Sequence, residues 1–414
     1  MSRQHLSPSQ WLSRFSYYLR TEQYANRTMK YYIPRVGEFL AFLQKRHIGL
    51  NSVQPMHVDA YLQLVLRRLR SRYGRSPIDW RSNYTNPIGT FLKLAHGQWP
   101  PNETPTTAIE RFQSQLCQKY VQWMVDIRGL APGTVSSRCR EASRFIGWLG
   151  ERANRAGLAS LSVADVDSYL KYRSSSSRRS SLGTMAVWIR VFLRWLHSTG
   201  RTNRDLSTVV IAPSLYSLES IPSALRAQDV DKVLTAVRHD DTAKGARDYA
   251  ILMLLSKYGM RAGEIVALRL DDIDWRKQVI RVHHAKTGAT SYLPLLLEVG
   301  NAILEYLQRA RPQTSFRQIF IRNRAPYRPF PNGASLYSVV RKRLDRVGVV
   351  TAGRRGPHAF RHARAVSMLR ARVPLKEIGD LLGHRSVIST MTYLKLAEED
   401  LRAIALEIPV EVKA

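Results

Sequence analysis

The stretch IDWRKQVIRVHHAKTGATSYLPL, residues 273–295, is where this chain changes its period. On both sides of it, apolar residues recur at three- and four-residue intervals, the spacing of helices with one buried face. Within it the interval drops to two, through Ile280, Val282 and His284, and a turn at Lys286-Thr287-Gly288 separates the runs. Three short antiparallel strands are therefore expected inside an otherwise helical chain. The fold class is mainly α with a small antiparallel β-sheet, and the sheet makes the C-terminal domain α+β.

Working outward, RAQDVDKVLTAV (226–237) and DYAILMLLSKYG (248–259) read as helices ahead of the strands, and helical patterns resume over 297–310 and run on to 406. Residues 212–222 break the periodicity with two prolines and read as a linker. Upstream the chain repeats itself. Thr28, Phe39, Phe42, Leu43 and VDAYL (58–62) are followed by a basic hinge, RRLRSRYGRS (67–76), and an apolar helix, IGTFLKLAH (88–96). Thr134, Phe145, Trp148, Leu149 and VDSYL (166–170) are followed in the same order by RSSSSRRSS (173–181) and IRVFLRWLH (189–197). Matching order and spacing point to a duplicated helical bundle. The expected domains are a first helical unit over 1–105, a second over 106–215, and a C-terminal domain over 216–414.

The charge narrows the function. With 64 Lys and Arg against 32 Asp and Glu, the chain carries +32 and has a pI near 10.6. An excess of this size calls for a polyanionic partner, and DNA or RNA fits best. It is not a basic tail: basic side chains outnumber acidic ones by 15 to 5 over 1–105, by 16 to 8 over 106–220, and by 33 to 19 over 221–414. Each segment is expected to face phosphate. The two cysteines, Cys117 and Cys139, suit a reducing cytoplasm and argue against a disulfide framework or a zinc site. The first residues lack the apolar core of a signal peptide, and no apolar run approaches the ~20 residues that span a bilayer. No membrane partner is expected.

The chemistry lies near the C-terminus. In GPHAFRHARA (356–365), His358 and Arg361 stand three apart on one helix face and can converge on one anion. LLGHRSVISTMTYL (381–394) then supplies His384 and Tyr393. Upstream, Arg261 and Glu264 lie in GMRAGEI (259–265) at a helix–turn–helix junction, and Lys286 occupies the hairpin tip. Cutting and rejoining DNA without an energy source requires a covalent intermediate, and a tyrosine hydroxyl can form one with phosphorus. Arginines match the negative charge that gathers on the non-bridging oxygens, and a lysine can protonate the leaving oxygen. Taken singly, each residue has a bland alternative: His-x-x-Arg arises by chance in a basic protein, Lys286 is an ordinary turn residue, and Glu264 is a surface carboxylate. Their joint order carries the reading.

With Arg261, Lys286, His358-x-x-Arg361, Gly383-His384 and Tyr393 in that order, the chain resembles the tyrosine recombinases of the phage integrase superfamily, with specific motifs over 222–400. A looser similarity over 106–215 matches the family's helical core-binding domain. The resemblance implies that Arg261 and Arg361 grip the scissile phosphate, Lys286 is the general acid, His358 assists proton transfer as base, and His384 donates a hydrogen bond to the phosphate. Glu264 would orient the site, and Tyr393 would be the nucleophile of a 3′-phosphotyrosyl intermediate. It implies no metal, nucleotide or other cofactor. The implied partners are double-stranded DNA at a specific site, three further copies of the chain in a tetramer, and companion recombinases, in a bacterial cytoplasm and on the nucleoid when bound. The amphipathic AEEDLRAIALEI (397–408) suits docking on a neighbouring protomer or on its own domain.

The chain departs from the family in three places. His362-Ala363-Arg364 stands where a small hydroxyl residue usually follows the histidine, and MRAGE replaces a more common β-branched residue and serine. A second helical unit also occupies the N-terminus, where many integrases have a small sheet-containing domain. Two other readings share much of the residue set: a type IB topoisomerase-like relaxing enzyme, and a non-catalytic DNA-binding protein.

Overall fold

The structure, a computed structural model, describes residues 6–75, 78–101, 105–175, 177, 179–214, 224–284, 288–350, 355–383 and 390. The chain forms two compact units, Asn102–Glu219 and the combination of Met1–Pro101 with Ser220–Ala414.

The first four helices are α1 (Pro8–Thr21), α2 (Asn26–Lys45), α3 (Pro55–Tyr73) and α4 (Trp80–His96). Ser7 caps α1 by accepting from the backbone N–H of Gln10, whose side chain returns the bond to Ser7. The apolar faces of α2, α3 and α4 meet through Phe39, Tyr61 and Phe91, all fully or nearly fully buried. Phe39 meets Tyr61 edge to face, with ring centroids 5.3 Å apart.

The second unit contains α5 (Ala108–Gln122), α6 (Pro132–Leu149), α7 (Arg155–Ala159), α8 (Val163–Ser174) and α9 (Arg179–Ser198). Its core repeats the same pattern. Phe145 meets Tyr169 edge to face at 4.9 Å, and Phe192 of α9 is buried as Phe91 is in α4. The residues that matched in sequence therefore hold corresponding places in two separate cores. This core also encloses a charge: Glu141, 1% exposed, accepts from Tyr169 Oη, Arg144 and Arg173, which satisfies the carboxylate.

Residues 220–414 contain α10 (Ala227–Arg238), α11 (Ala243–Tyr258), α12 (Ala262–Ala267), strands β1 (Ile273–Asp274), β2 (Val279–His284) and β3 (Ala289–Pro294), then α13 (Leu297–Glu305), α14 (Ser335–Arg346), α15 (Pro357–Arg370) and α16 (Leu375–Leu382). The sheet is antiparallel in the order β1-β2-β3, with Ile280 opposite Leu293, Val282 opposite Ser291 and His284 opposite Ala289. The mainly helical fold with one small antiparallel sheet is the architecture expected from the change of period. α11 begins earlier than its apolar run, because Thr242 accepts from the backbone N–H of Gly245 and caps it.

α11 is buried around most of its circumference, from Ala250 to Leu255, and forms the centre of this core. An ionic cluster pins α14 to it. Asp248 is fully buried and accepts from Arg247 Nη2 at 2.7 Å and from Arg343 Nε at 2.8 Å, while Arg343 also donates to Asp240. The first four helices join this unit on its 313–328 side, where Arg328 donates to Glu22 at 2.8 Å. Among the described residues, no helix is long and apolar enough to cross a membrane.

Candidate active site

Three helix ends build the site. α11 stops at Gly259, which adopts a left-handed conformation with φ 63°. A β-carbon there would lie 2.7 Å from Leu382 Cδ2, so glycine serves both the turn and the close approach of α16. Two residues on, Arg261 is the N-cap of α12. It lacks the oxygen that usually caps a helix, and Glu264 serves instead, accepting from the Arg261 backbone N–H at 2.8 Å.

Glu264 has a second task. Its other oxygen accepts from Arg261 Nη1 at 2.8 Å and from His284 Nδ1 at 2.7 Å. Burial alone would raise the carboxyl, which is only 7% exposed. The hydrogen bonds from His284 and from the Arg261 backbone and guanidinium outweigh that and hold it below the ordinary carboxylate range. It is therefore ionised at neutral pH and fixes Arg261 in place. Arg261 Nη2 donates to the Gly383 carbonyl at 2.9 Å, and 24% of the side chain remains exposed.

Arg361 approaches the same helix end from α15. It is 3% exposed and donates from Nη1 to the Gly259 carbonyl at 2.7 Å and from Nη2 to the Leu382 carbonyl at 2.6 Å. Both carbonyls sit at helix C-termini, where the backbone dipoles favour a cation. The two arginines thus converge on adjacent carbonyls, Leu382 and Gly383, at the end of α16. The core of Ala365, Met368, Ile378 and Leu382 locks α16 against α15 and sets this geometry.

His358 lies in the first turn of α15 and is exposed, whereas Arg361 one turn on is buried. A helix N-terminus favours an anion, so the start of α15, where His358 stands, suits the kind of ligand that arginines also suit. His362 stacks near His358 with ring centroids 6.2 Å apart. Burial, followed by the neighbouring His358 and Arg361 charges, pushes its pKa down to about 4. His362 is therefore neutral at working pH.

Arg261, Glu264, His358 and Arg361 all belong to this one region. Lys286, His384 and Tyr393 lie outside the described residues, as does 397–408. Their described neighbours are His284 and Gly288 on the hairpin arms, Gly383 at the end of α16, and Thr390. Thr390 is buried, with its Oγ1 3.1 Å from where a β-carbon on Gly379 of α16 would stand.

The sequence reading missed His284 and Ser291 as members of the site. His284 Nε2 lies 2.8 Å from Ser291 Oγ, and its ring abuts Gly383, where a β-carbon would come within 2.6 Å of Cε1. The signal was a polar residue on the buried stripe that Ile280 and Val282 define.

A helical domain with a three-stranded sheet, two arginines gathered at one helix end and a histidine in the first turn of another helix make up a candidate anion site. Comparison with known proteins makes this specific: the chain belongs to the phage integrase family, the tyrosine recombinases. The family's profile matches residues 223–400. A Sinorhizobium fredii protein designated integrase/recombinase y4rA is 34% identical over 383 residues, covering 91% of this chain and 88% of the relative. The tyrosine recombinase XerD of Corynebacterium glutamicum is 28% identical over 300 residues, covering 70% of this chain and 96% of its own length. The fold matches lambda integrase (residues 75–356) bound to DNA, with a TM-score of 0.54 at 15% identity, over 73% of this chain and 99% of that one.

Proposed function

We propose that this protein is a site-specific DNA recombinase that cuts and rejoins strands through a 3′-phosphotyrosyl intermediate. The observation that supports it best is the meeting of Arg261 and Arg361 at the end of α16, immediately before His384 in the chain. In this reading both guanidinium groups bind the non-bridging oxygens of the scissile phosphate, where preorganised donors stabilise the transition state by about 3–4 kcal/mol each. His384 adds a further hydrogen bond to the phosphate.

The Tyr393 oxygen bonds to phosphorus and gives up its proton, with His358 as base. The bond from phosphorus to the 5′ oxygen breaks, and Lys286 protonates the departing oxygen. The phosphodiester energy stays in the protein–DNA link, so a 5′ hydroxyl from a partner strand reverses the step without a nucleotide. Glu264 holds Arg261 in register throughout.

The partner is double-stranded DNA at a defined site, bound through the three basic segments 1–105, 106–215 and 216–414. The active assembly is a tetramer of this chain or of this chain with companion recombinases, in a bacterial cytoplasm and on the nucleoid when bound. Lambda integrase has been solved as a tetramer on a Holliday junction, with a TM-score of 0.52 at 15% identity, and that assembly supports the tetrameric reading.

Incubation with nicked duplexes tests this proposal. An SDS-resistant adduct is expected with the wild type, and Tyr393→Phe should keep DNA binding while losing it. Relaxation of supercoils without strand exchange would select a topoisomerase instead. Binding with no adduct would leave a non-catalytic DNA-binding protein.

A further inference from the structure

We propose that His284 is a positioning residue for strand cleavage: it holds Arg261 through Glu264 and ties that pair to the hairpin strands and to the end of α16. This inference rests on the recombinase reading above.

A histidine is out of place where this one sits. β2 turns Ile280, Val282 and His284 to the buried side, and the first two are apolar and almost fully buried. His284 is only 5% exposed in the same row. A third aliphatic side chain would fill that place without the cost of desolvating two ring nitrogens, so the imidazole must be matched by partners. It is matched on both sides. Nδ1 lies 2.7 Å from Glu264 Oε1, and Nε2 lies 2.8 Å from Ser291 Oγ. An ionised carboxylate only accepts, so Nδ1 carries the proton.

These bonds form a continuous chain. Ser291 on β3 meets His284 on β2, His284 meets Glu264 on α12, Glu264 meets Arg261 Nη1 at 2.8 Å, and Arg261 Nη2 reaches the Gly383 carbonyl at 2.9 Å. The ring also seats the end of α16 directly, because only glycine, with no β-carbon, fits at position 383 against Cε1. In sequence, Lys286 follows His284 by two residues and His384 follows Gly383 by one. One imidazole therefore joins the roots of three catalytic groups that lie on separate elements. Such support keeps a reacting constellation in register, and a misplacement near 1 Å costs on the order of a hundredfold in rate.

The test measures the rate of adduct formation at saturating DNA on a pool of nicked duplexes of randomised sequence, with Kd measured separately on the same pool. His284→Phe fills the space without either nitrogen and should slow adduct formation on the order of a hundredfold at unchanged Kd. His284→Asn keeps an N–H donor close to the Nδ1 position and should recover most of the lost rate. Glu264→Gln should also be slow, and the double variant H284F/E264Q should be no slower than the slower single variant. Wild-type rates in H284F, failure of H284N to exceed H284F, or multiplied losses in the double variant would each overturn the role.

A second measurement needs no DNA and stands even if H284F folds poorly. With 15N-labelled histidine, wild type should give a hydrogen-bonded Nδ1–H resonance that Glu264→Leu, which leaves no acceptor there, removes. Its absence from the wild type, or its survival in E264L, would overturn the His284 assignment alone. A wild-type protein that forms no adduct with any duplex would overturn the recombinase reading itself.

Discussion

Replacing Arg361 by lysine keeps the charge and removes the fork, and the structure lets the two consequences be worked out separately. Arg361 is almost fully buried and spans two helix C-termini, donating to the Gly259 and Leu382 carbonyls at 2.7 and 2.6 Å. A single ammonium on a flexible stem cannot reproduce both bonds with the geometry of a planar guanidinium. Losing one charged hydrogen bond at a buried carbonyl costs about 2 kcal/mol. For a domain of this size that lowers the Tm by about 4–8 °C. The cleavage loss has a different origin. If Arg361 also presents its fork to the scissile phosphate, removing one donor costs about 3–4 kcal/mol in the transition state, or two to three orders of magnitude in rate. Calorimetry reads the first effect, and single-turnover adduct formation well below the Tm reads the second. Arg370→Lys, an exposed change on the same helix, should produce neither. An R361K protein that melts like the wild type and cleaves within about tenfold of it would refute both the bridging role and the phosphate role of this residue.

Acid should expose His362. Its folded pKa of about 4 lies below the ordinary 6.5, so the unfolded chain takes up the extra proton first. Its contribution is fully present above pH 6.5 and is lost as pH falls toward 4, by roughly 2 kcal/mol after discounting for partial exposure; His362→Asn should flatten the fall in Tm across that window. Asp248→Asn removes the buried charge and one of the two oxygens that accept from Arg247 and Arg343, and should destabilise the C-terminal domain by about 3–5 kcal/mol in urea unfolding. Replacing the exposed Arg67, Arg68 and Arg70 of α3 by alanine should lower the log–log salt slope of DNA binding by about 0.9 for each phosphate that is no longer neutralised, with a shorter footprint. An unchanged slope and footprint would instead assign the first helical unit to protein contacts.

The sheet was legible because a period of two stands out in a helical chain, and the same alternation already pointed His284 inward. Its partners were not legible. Glu264 is twenty residues away in sequence, and their bond exists only because α12 packs beside β2. Glu264 itself looked like a surface carboxylate, since nothing local says that it must cap Arg261 and bind its guanidinium while buried. His358 and Arg361 were read as one helix face, and they do lie on one side of α15. Their depths differ, however: His358 is exposed, while Arg361 is buried among the residues by which α15 packs toward α11. The carbonyls that hold Arg361 belong to two other helices, and sequence spacing carries no trace of them. The repeat was visible in the order of its aromatic residues, and Phe39–Tyr61 and Phe145–Tyr169 fill corresponding places. The grouping of residues 1–101 with the C-terminal segment was not visible, because an exposed ion pair such as Glu22–Arg328 leaves no periodic signature.

Strand cleavage by this protein turns on one covalent bond, and mass spectrometry of the trapped adduct tests it directly. Nicked duplex would be incubated with the full chain, the SDS-resistant complex digested with nuclease and protease, and the nucleotide-bearing peptide sequenced. The expected product carries a single modified residue, Tyr393, joined to a 3′ phosphate, with a free 5′ hydroxyl on the other strand end. A nucleotide on any other residue, a 5′ linkage, or no covalent adduct on DNA that the protein binds and recombines would contradict the proposed mechanism.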